Sequence, residues 1–91
     1  MTYEDEIAPH RETIDRLNNE IIDKIAQRQQ SALAIGNIKK SYGKPVVDRS
    51  REQAILAKIR EKAPSKGMNP DALERVFKEI IQLCVEAEET Q

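Results

Sequence analysis

The chain has 91 residues, 34% of them charged, and a formal net charge of −1. That length makes a single small domain spanning residues 1–91, and the balanced charge leaves no basic excess for a nucleic-acid partner. Aromatic residues are only 3%, so a core must be built from Ile, Leu, Val and Ala, which favours packed helices over a β-sandwich, and the charge balance with periodic Ile and Leu sets the chain apart from disordered sequences.

The first predicted helix runs from about Ile7 or Pro9 to about Tyr42. Proline is tolerated in a first turn, so Pro9 marks the start. Ile7, Ile14, Leu17, Ile21, Ile25, Ala32, Ile35 and Ile38 form its inward stripe. Gly36 is a weak spot within it, and Gly43 with Pro45 supplies the stop. Asp48 is the N-cap of a second helix from Arg49 to about Ala63, with Ile55, Leu56 and Ile59 inward. After a Pro64–Gly67 break, Asn69 and Pro70 open a third helix that runs to near the chain end. Its buried stripe is Leu73, Val76, Phe77, Ile80, Ile81 and Cys84, and Glu88 lies one turn further along it.

The first helix is too long for its neighbours. About 34 residues at ~1.5 Å each give roughly 50 Å, whereas a compact domain of this size is only about 30 Å across. The apolar stripe runs the whole length, and two shorter helices do not cover it. A second copy of the chain with its long helix laid against the first is the simplest cover, so the expected fold is an all-α, three-helix chain in a homodimer.

Two cations interrupt the stripe. Ile14, Ile21, Arg28, Ile35 and Tyr42 recur every seven residues, and Lys39 lies beside that track. Neither Arg28 nor Lys39 has an acid three or four residues away. They are separated by about 20° around the helix and about 16 Å along it. A buried unpaired cation is costly, so an anion is expected from another element or from a ligand. The alternative is that both snorkel outward. Arg11 lies about 100° away from Arg28 around the helix. It either pairs with Asp15 or reaches the same pocket from a partner chain.

Asp48, Arg51 and Glu52 share the first turn of the second helix. Cap and dipole chemistry accounts for Asp48, but Arg51 is unfavourable at a helix N-terminus and needs another reason. Glu88, read alone, belongs to a solvated tail crowded by Glu86 and Glu89. Cys84 reads as a small core residue, and as the only cysteine it forms no internal disulfide, which points to a reducing, cytoplasmic compartment. There is no signal-peptide h-region and no stretch of membrane-span length. His10 and Cys84 alone cannot build a zinc site, and no metal, cofactor or nucleophile pattern is found.

These residues in this order resemble the all-helical class of chorismate mutase, from His10 to Glu88. The first stretch reads R-x-x-I-D-x-L-N-x-x-I-I-x-x-I-x-x-R from Arg11 to Arg28, then A-x-x-I-G-x-I-K from Ala32 to Lys39. P-V-x-D-x-x-R-E follows from Pro45 to Glu52, and R-x-F-x-x-I-I from Arg75 to Ile81. The resemblance implies an intertwined homodimer with two sites, each drawing on both chains, and a cofactor-free pericyclic rearrangement of chorismate to prephenate. It implies that Arg28 and the partner subunit's Arg11 bind the two substrate carboxylates. Lys39 donates to the ether oxygen, the Asp48 backbone and Glu52 hold the hydroxyl, and Arg51 helps hold a carboxylate.

Two positions depart from the commonest family pattern. Glu88 stands where many members have Gln, and glutamate donates a hydrogen bond only when protonated. Cys84 stands where some have Ser near a carboxylate, and a thiol is a weaker donor. The rival readings are an isochorismate pyruvate lyase using the same cations, and a non-catalytic helical dimerisation module, which gives no reason for Arg28 and Lys39.

Overall fold

The computed structural model describes residues 1–91 as three α-helices, with no strand. They are α1 (Tyr3–Ser41), α2 (Arg49–Lys62) and α3 (Pro70–Glu89), with a single 3₁₀ turn at Pro64–Lys66 between the last two. The all-α, three-helix expectation is met. No helix is long and apolar enough to cross a membrane.

α1 begins earlier than Pro9 suggested. Thr2 caps it through a reciprocal pair: Thr2 Oγ1 accepts from the Asp5 N–H and Asp5 Oδ2 accepts from the Thr2 N–H, each at 3.2 Å. Glu4, Asp5 and Glu6 place negative charge at the positive end of the helix dipole. Pro9 therefore sits inside the helix, and the hydrogen bond it cannot donate falls on the exposed Asp5 carbonyl, which water can satisfy. The readable signal was Thr2 followed three residues later by an acid.

The other boundaries follow their caps. α1 ends in a Schellman turn: Gly43 takes φ 65°, the Gly43 N–H bonds the Lys40 carbonyl at 3.1 Å, and the Lys44 N–H bonds the Lys39 carbonyl at 2.8 Å. Asp48 Oδ1 accepts from the Arg51 N–H at 3.0 Å to start α2, and Asn69 Oδ1 accepts from the Ala72 N–H at 3.0 Å to start α3.

The molecule is a rod of 63 × 27 × 15 Å with a radius of gyration of 17.2 Å, well beyond the ~12 Å of a compact chain of this length. α3 packs against both α1 and α2. Only Ala63, Ile81 and Cys84 are buried apolar residues. Ile14, Leu17, Ile21, Ile35 and Ile38 of α1 and Val76 of α3 are exposed. The inward stripe predicted for the first helix is present, but within one chain much of it faces solvent. Leu17, Ile21, Ile25, Val76, Phe77 and Ile80 line an open groove of about 510 Å³ between α1 and α3. Three buried apolar residues fall far short of what ordering a chain of this length requires.

α2 and α3 are clipped together at their exposed faces by Arg60, whose Nη1 donates to Asp71 Oδ1 at 2.7 Å and lies 3.8 Å from Glu74 Oε2. The hydrogen bond from Arg60 holds the Asp71 carboxyl below the ordinary carboxylate value. A carboxyl lowered in the folded state stabilises the fold above its unfolded pKa, and that contribution fades as pH falls through the folded value. Asp71→Asn is therefore expected to lower the thermal midpoint slightly at neutral pH and to leave it unchanged in strong acid, as read by melting curves across pH.

Candidate active site

Of the side chains singled out in sequence, Arg28, Lys39, Asp48, Arg51, Glu52 and Glu88 converge on one half-open cavity of about 280 Å³ where α1, α2 and α3 meet. α1 contributes Arg28, Ser31, Ala32, Ile35 and Lys39. Asp48, at the start of α2, contributes with Arg51, Glu52 and Ile55, and α3 contributes Ile81, Val85 and Glu88. The volume lies just under the ~300–1,000 Å³ usual for small-molecule sites.

Arg28 and Lys39 are half-buried, and neither forms an ion pair within the chain. Glu52 and Glu88 reach the same cavity from α2 and α3 but do not close on either cation. Arg28 Nη1 instead donates to Cys84 Sγ at 3.1 Å, and Lys39 Nζ donates to the Val46 carbonyl at 2.7 Å. Both partners are neutral, so each side chain is oriented without being neutralised. An ammonium has three donors and a guanidinium five, so donors remain on each cation for a ligand.

Each site residue is placed by a helix. The i, i+7, i+11 spacing carries Arg28, Ile35 and Lys39 along one side of α1. The Asp48 side chain is used as the cap of α2. Arg51, which sequence left without a reason at a helix N-terminus, lines the cavity. Cys84 is 2% exposed and does not line the cavity; its sulfur fixes Arg28 from behind.

Glu88 is where the residue-level expectation of a solvated tail is overturned. α3 stays helical to Glu89, and Lys40 Nζ donates to the Gln91 carbonyl at 3.2 Å, tying the chain end to α1. Glu88 is 8% exposed, and its Oε2 is buried without a hydrogen-bond partner. It lines the same cavity as the cations Arg28 and Lys39 from α1, and as Arg51, Glu52 and Asp48 from the start of α2.

Arg11 is not in the cavity of its own chain. It lies roughly 25 Å along α1 from Arg28, is exposed, and pairs with Glu4 at 3.4 Å rather than with Asp15. The Val46 carbonyl and Gly36 escaped the sequence reading: the first is a backbone atom with no residue-type signature, and the second read only as a helix-weakening residue.

The family described as chorismate mutase type II matches residues 10–89, and the chain belongs to that family. It is 36% identical over 90 residues to a bifunctional chorismate mutase/prephenate dehydratase of Neisseria gonorrhoeae, covering 97% of this chain and 24% of that protein. It is 30% identical over 77 residues to a T-protein of Enterobacter agglomerans, covering 85% of this chain and 21% of that protein. A chorismate mutase of Methanocaldococcus jannaschii is 28% identical over 78 residues, covering 86% of this chain and 79% of that protein. The chain thus spans about a quarter or less of the two bacterial relatives and most of the archaeal one.

Proposed function

We propose that this chain is a single chorismate mutase unit that rearranges chorismate to prephenate in a cationic pocket shared between two copies, in the cytoplasm. The observation that carries this reading is the pair Arg28 and Lys39, oriented by Cys84 and the Val46 carbonyl and left without a counter-charge. A dicarboxylate supplies it.

In this reading the reaction is unimolecular and pericyclic. The carbon–oxygen ether bond breaks as a carbon–carbon bond forms, with no nucleophile and no group transferred to the protein. The pocket holds the reactive conformer and stabilises negative charge growing on the ether oxygen. Arg28 takes one substrate carboxylate. Lys39 keeps its bond to Val46 and donates a second N–H to the ether oxygen. Glu52 and the Asp48 backbone hold the hydroxyl, Arg51 supports a carboxylate, and Cys84 acts at the carboxylate end through Arg28. Purified protein is expected to consume chorismate and yield prephenate, identified as product. Lys39→Met should keep the helical spectrum and lower kcat by on the order of 10²–10³-fold. Pyruvate as product would instead assign the lyase reaction, and no consumption would remove both.

Glu88 faces the same cavity, and in this reading its protonated form donates to the ether oxygen beside Lys39. The carboxylate only accepts, so the competent fraction grows as pH falls. Activity is expected to rise toward acid, and Glu88→Gln, which donates at every pH, should flatten the profile. A wild-type rate independent of pH from mildly acidic to mildly alkaline conditions removes Glu88 from the reaction.

The homodimer rests on the uncovered stripe. Ile14, Leu17, Ile21 and Val76 are exposed on one chain, and in this reading a second α1 laid along that face covers them and supplies the partner subunit's Arg11 to the substrate. Sedimentation should give twice the 10.4 kDa chain mass. Ile21→Asp in the groove should yield a monomer with little activity. A fully active monomer would defeat the shared site.

A further inference from the structure

We propose that Gly36 is a positioning residue: the space left by its missing side chain is what allows the last turn of α3 to hold the Glu88 carboxyl in the cavity. The role assigned to that carboxyl rests on the proposed mutase function; the steric relation does not.

Gly36 differs from the other two glycines. Gly43 and Gly67 take φ of 65° and 71° in turns, where a backbone requirement explains them, and a Cβ on either would meet nothing. Gly36 lies in the middle of α1 with a backbone any residue adopts, in a place where glycine weakens a helix. It is also the only buried residue of α1. Its reason for being glycine must therefore be space.

That space is filled by Glu88. A Cβ built on Gly36 would stand 3.2 Å from Glu88 Cγ, 3.4 Å from Oε2 and 3.5 Å from Glu88 Cβ. The first distance is tighter than ordinary carbon contact, so Glu88 must give by a few tenths of an ångström, through a turn of its side chain or a lift of the end of α3. Lifting strains the adjacent tie from Lys40 to the Gln91 carbonyl. Turning shifts Oε2 within its buried position, at one wall of the cavity that Arg28 and Lys39 of α1 and Asp48, Arg51 and Glu52 of α2 also line. Either response displaces the carboxyl while leaving Arg28 and Lys39 on an undisturbed helix. Gly36 touches no substrate in this scheme and acts only through Glu88.

The test is a double-mutant cycle of Gly36→Ala and Glu88→Ala, read by kcat, KM, the pH–rate profile and the thermal midpoint. Glu88→Ala removes Cγ and Oε2, leaving only Cβ at the ordinary distance. Gly36→Ala alone is expected to lower kcat severalfold, as a misplacement of a few tenths of an ångström in a catalytic group does, to change KM less, and to weaken the rise of rate toward acid. In the Glu88→Ala background, the same substitution should alter kcat by less than about twofold and raise the thermal midpoint, because only the helix-favouring effect of alanine remains. Equal effects of Gly36→Ala on rate in both backgrounds, or a native kcat and pH profile in Gly36→Ala, overturn the proposal. If the wild-type chain does not convert chorismate, the proposed function falls, and the midpoints still decide the contact: unequal shifts in the two backgrounds support it and equal shifts refute it.

Discussion

Everything in this molecule is arranged around two positive charges that its own chain does not neutralise. Arg28 and Lys39 stand on a helix face otherwise built from isoleucine and alanine, and folding brings them a thiol and a carbonyl rather than carboxylates. Such an arrangement is a poor way to stabilise a small protein, since apolar side chains of similar size would serve better. It is a good way to prepare a binding site. The cost of desolvating the cations is met during folding, and the neutral acceptors hold their geometry without cancelling the charge that a ligand needs. Arg28 fixed by Cys84, and Lys39 fixed by Val46, are pre-oriented donors in that sense.

The second constraint is the missing core. A rod whose buried apolar set is Ala63, Ile81 and Cys84 is incomplete as a folding unit. Its cavity is incomplete at the same level of the structure, being closed by α1, α2 and α3 and open elsewhere. In the proposed dimer one event repairs both defects. In that proposal the second copy covers the isoleucines and supplies the remaining wall, so assembly is coupled to the environment that strengthens Arg28 and Lys39. Lower local dielectric raises the worth of every oriented charge, which makes burial of the groove a condition for the chemistry as well as for stability.

Much of this was legible in the sequence because periodicity reports a helix face directly. The 3.6-residue pattern placed Arg28, Ile35 and Lys39 together, Asp48 and Asn69 marked two helix starts, and Gly43 with Pro45 marked a stop. What failed had a physical reason in each case. Pro9 outweighed the Thr2–Asp5 capping pair, although an exposed carbonyl opposite a proline costs little near a helix end. Glu88 looked solvated because its burial depends on a tertiary neighbour 52 positions earlier, which local pattern does not contain. Val46 was invisible because its contribution is a backbone oxygen. Val76 and Ile21 were correctly assigned to an apolar face, but a face is buried only when something covers it.

The distribution of these groups between helices and loops also bears on the chemistry. Side chains on helices are held to small positional errors by packing along their length, whereas loop-borne groups move more freely. Here Arg28, Lys39, Arg51, Glu52 and Glu88 are all on helices, and the only loop contribution to Lys39 is a carbonyl two residues before the capped start of α2. A rearrangement that uses no nucleophile gains its rate from the placement of charge and the confinement of one conformer, and both are spoiled by small displacements. Three helices with capped starts, the last one tied to the first by Lys40, form the frame that the proposed reaction uses. The frame closes with the final turn of α3. That turn carries the one group in the pocket that, in the proposed reaction, must hold a proton to act as a donor, so fine control of the reaction concentrates at Glu88 and at the space beside it on α1.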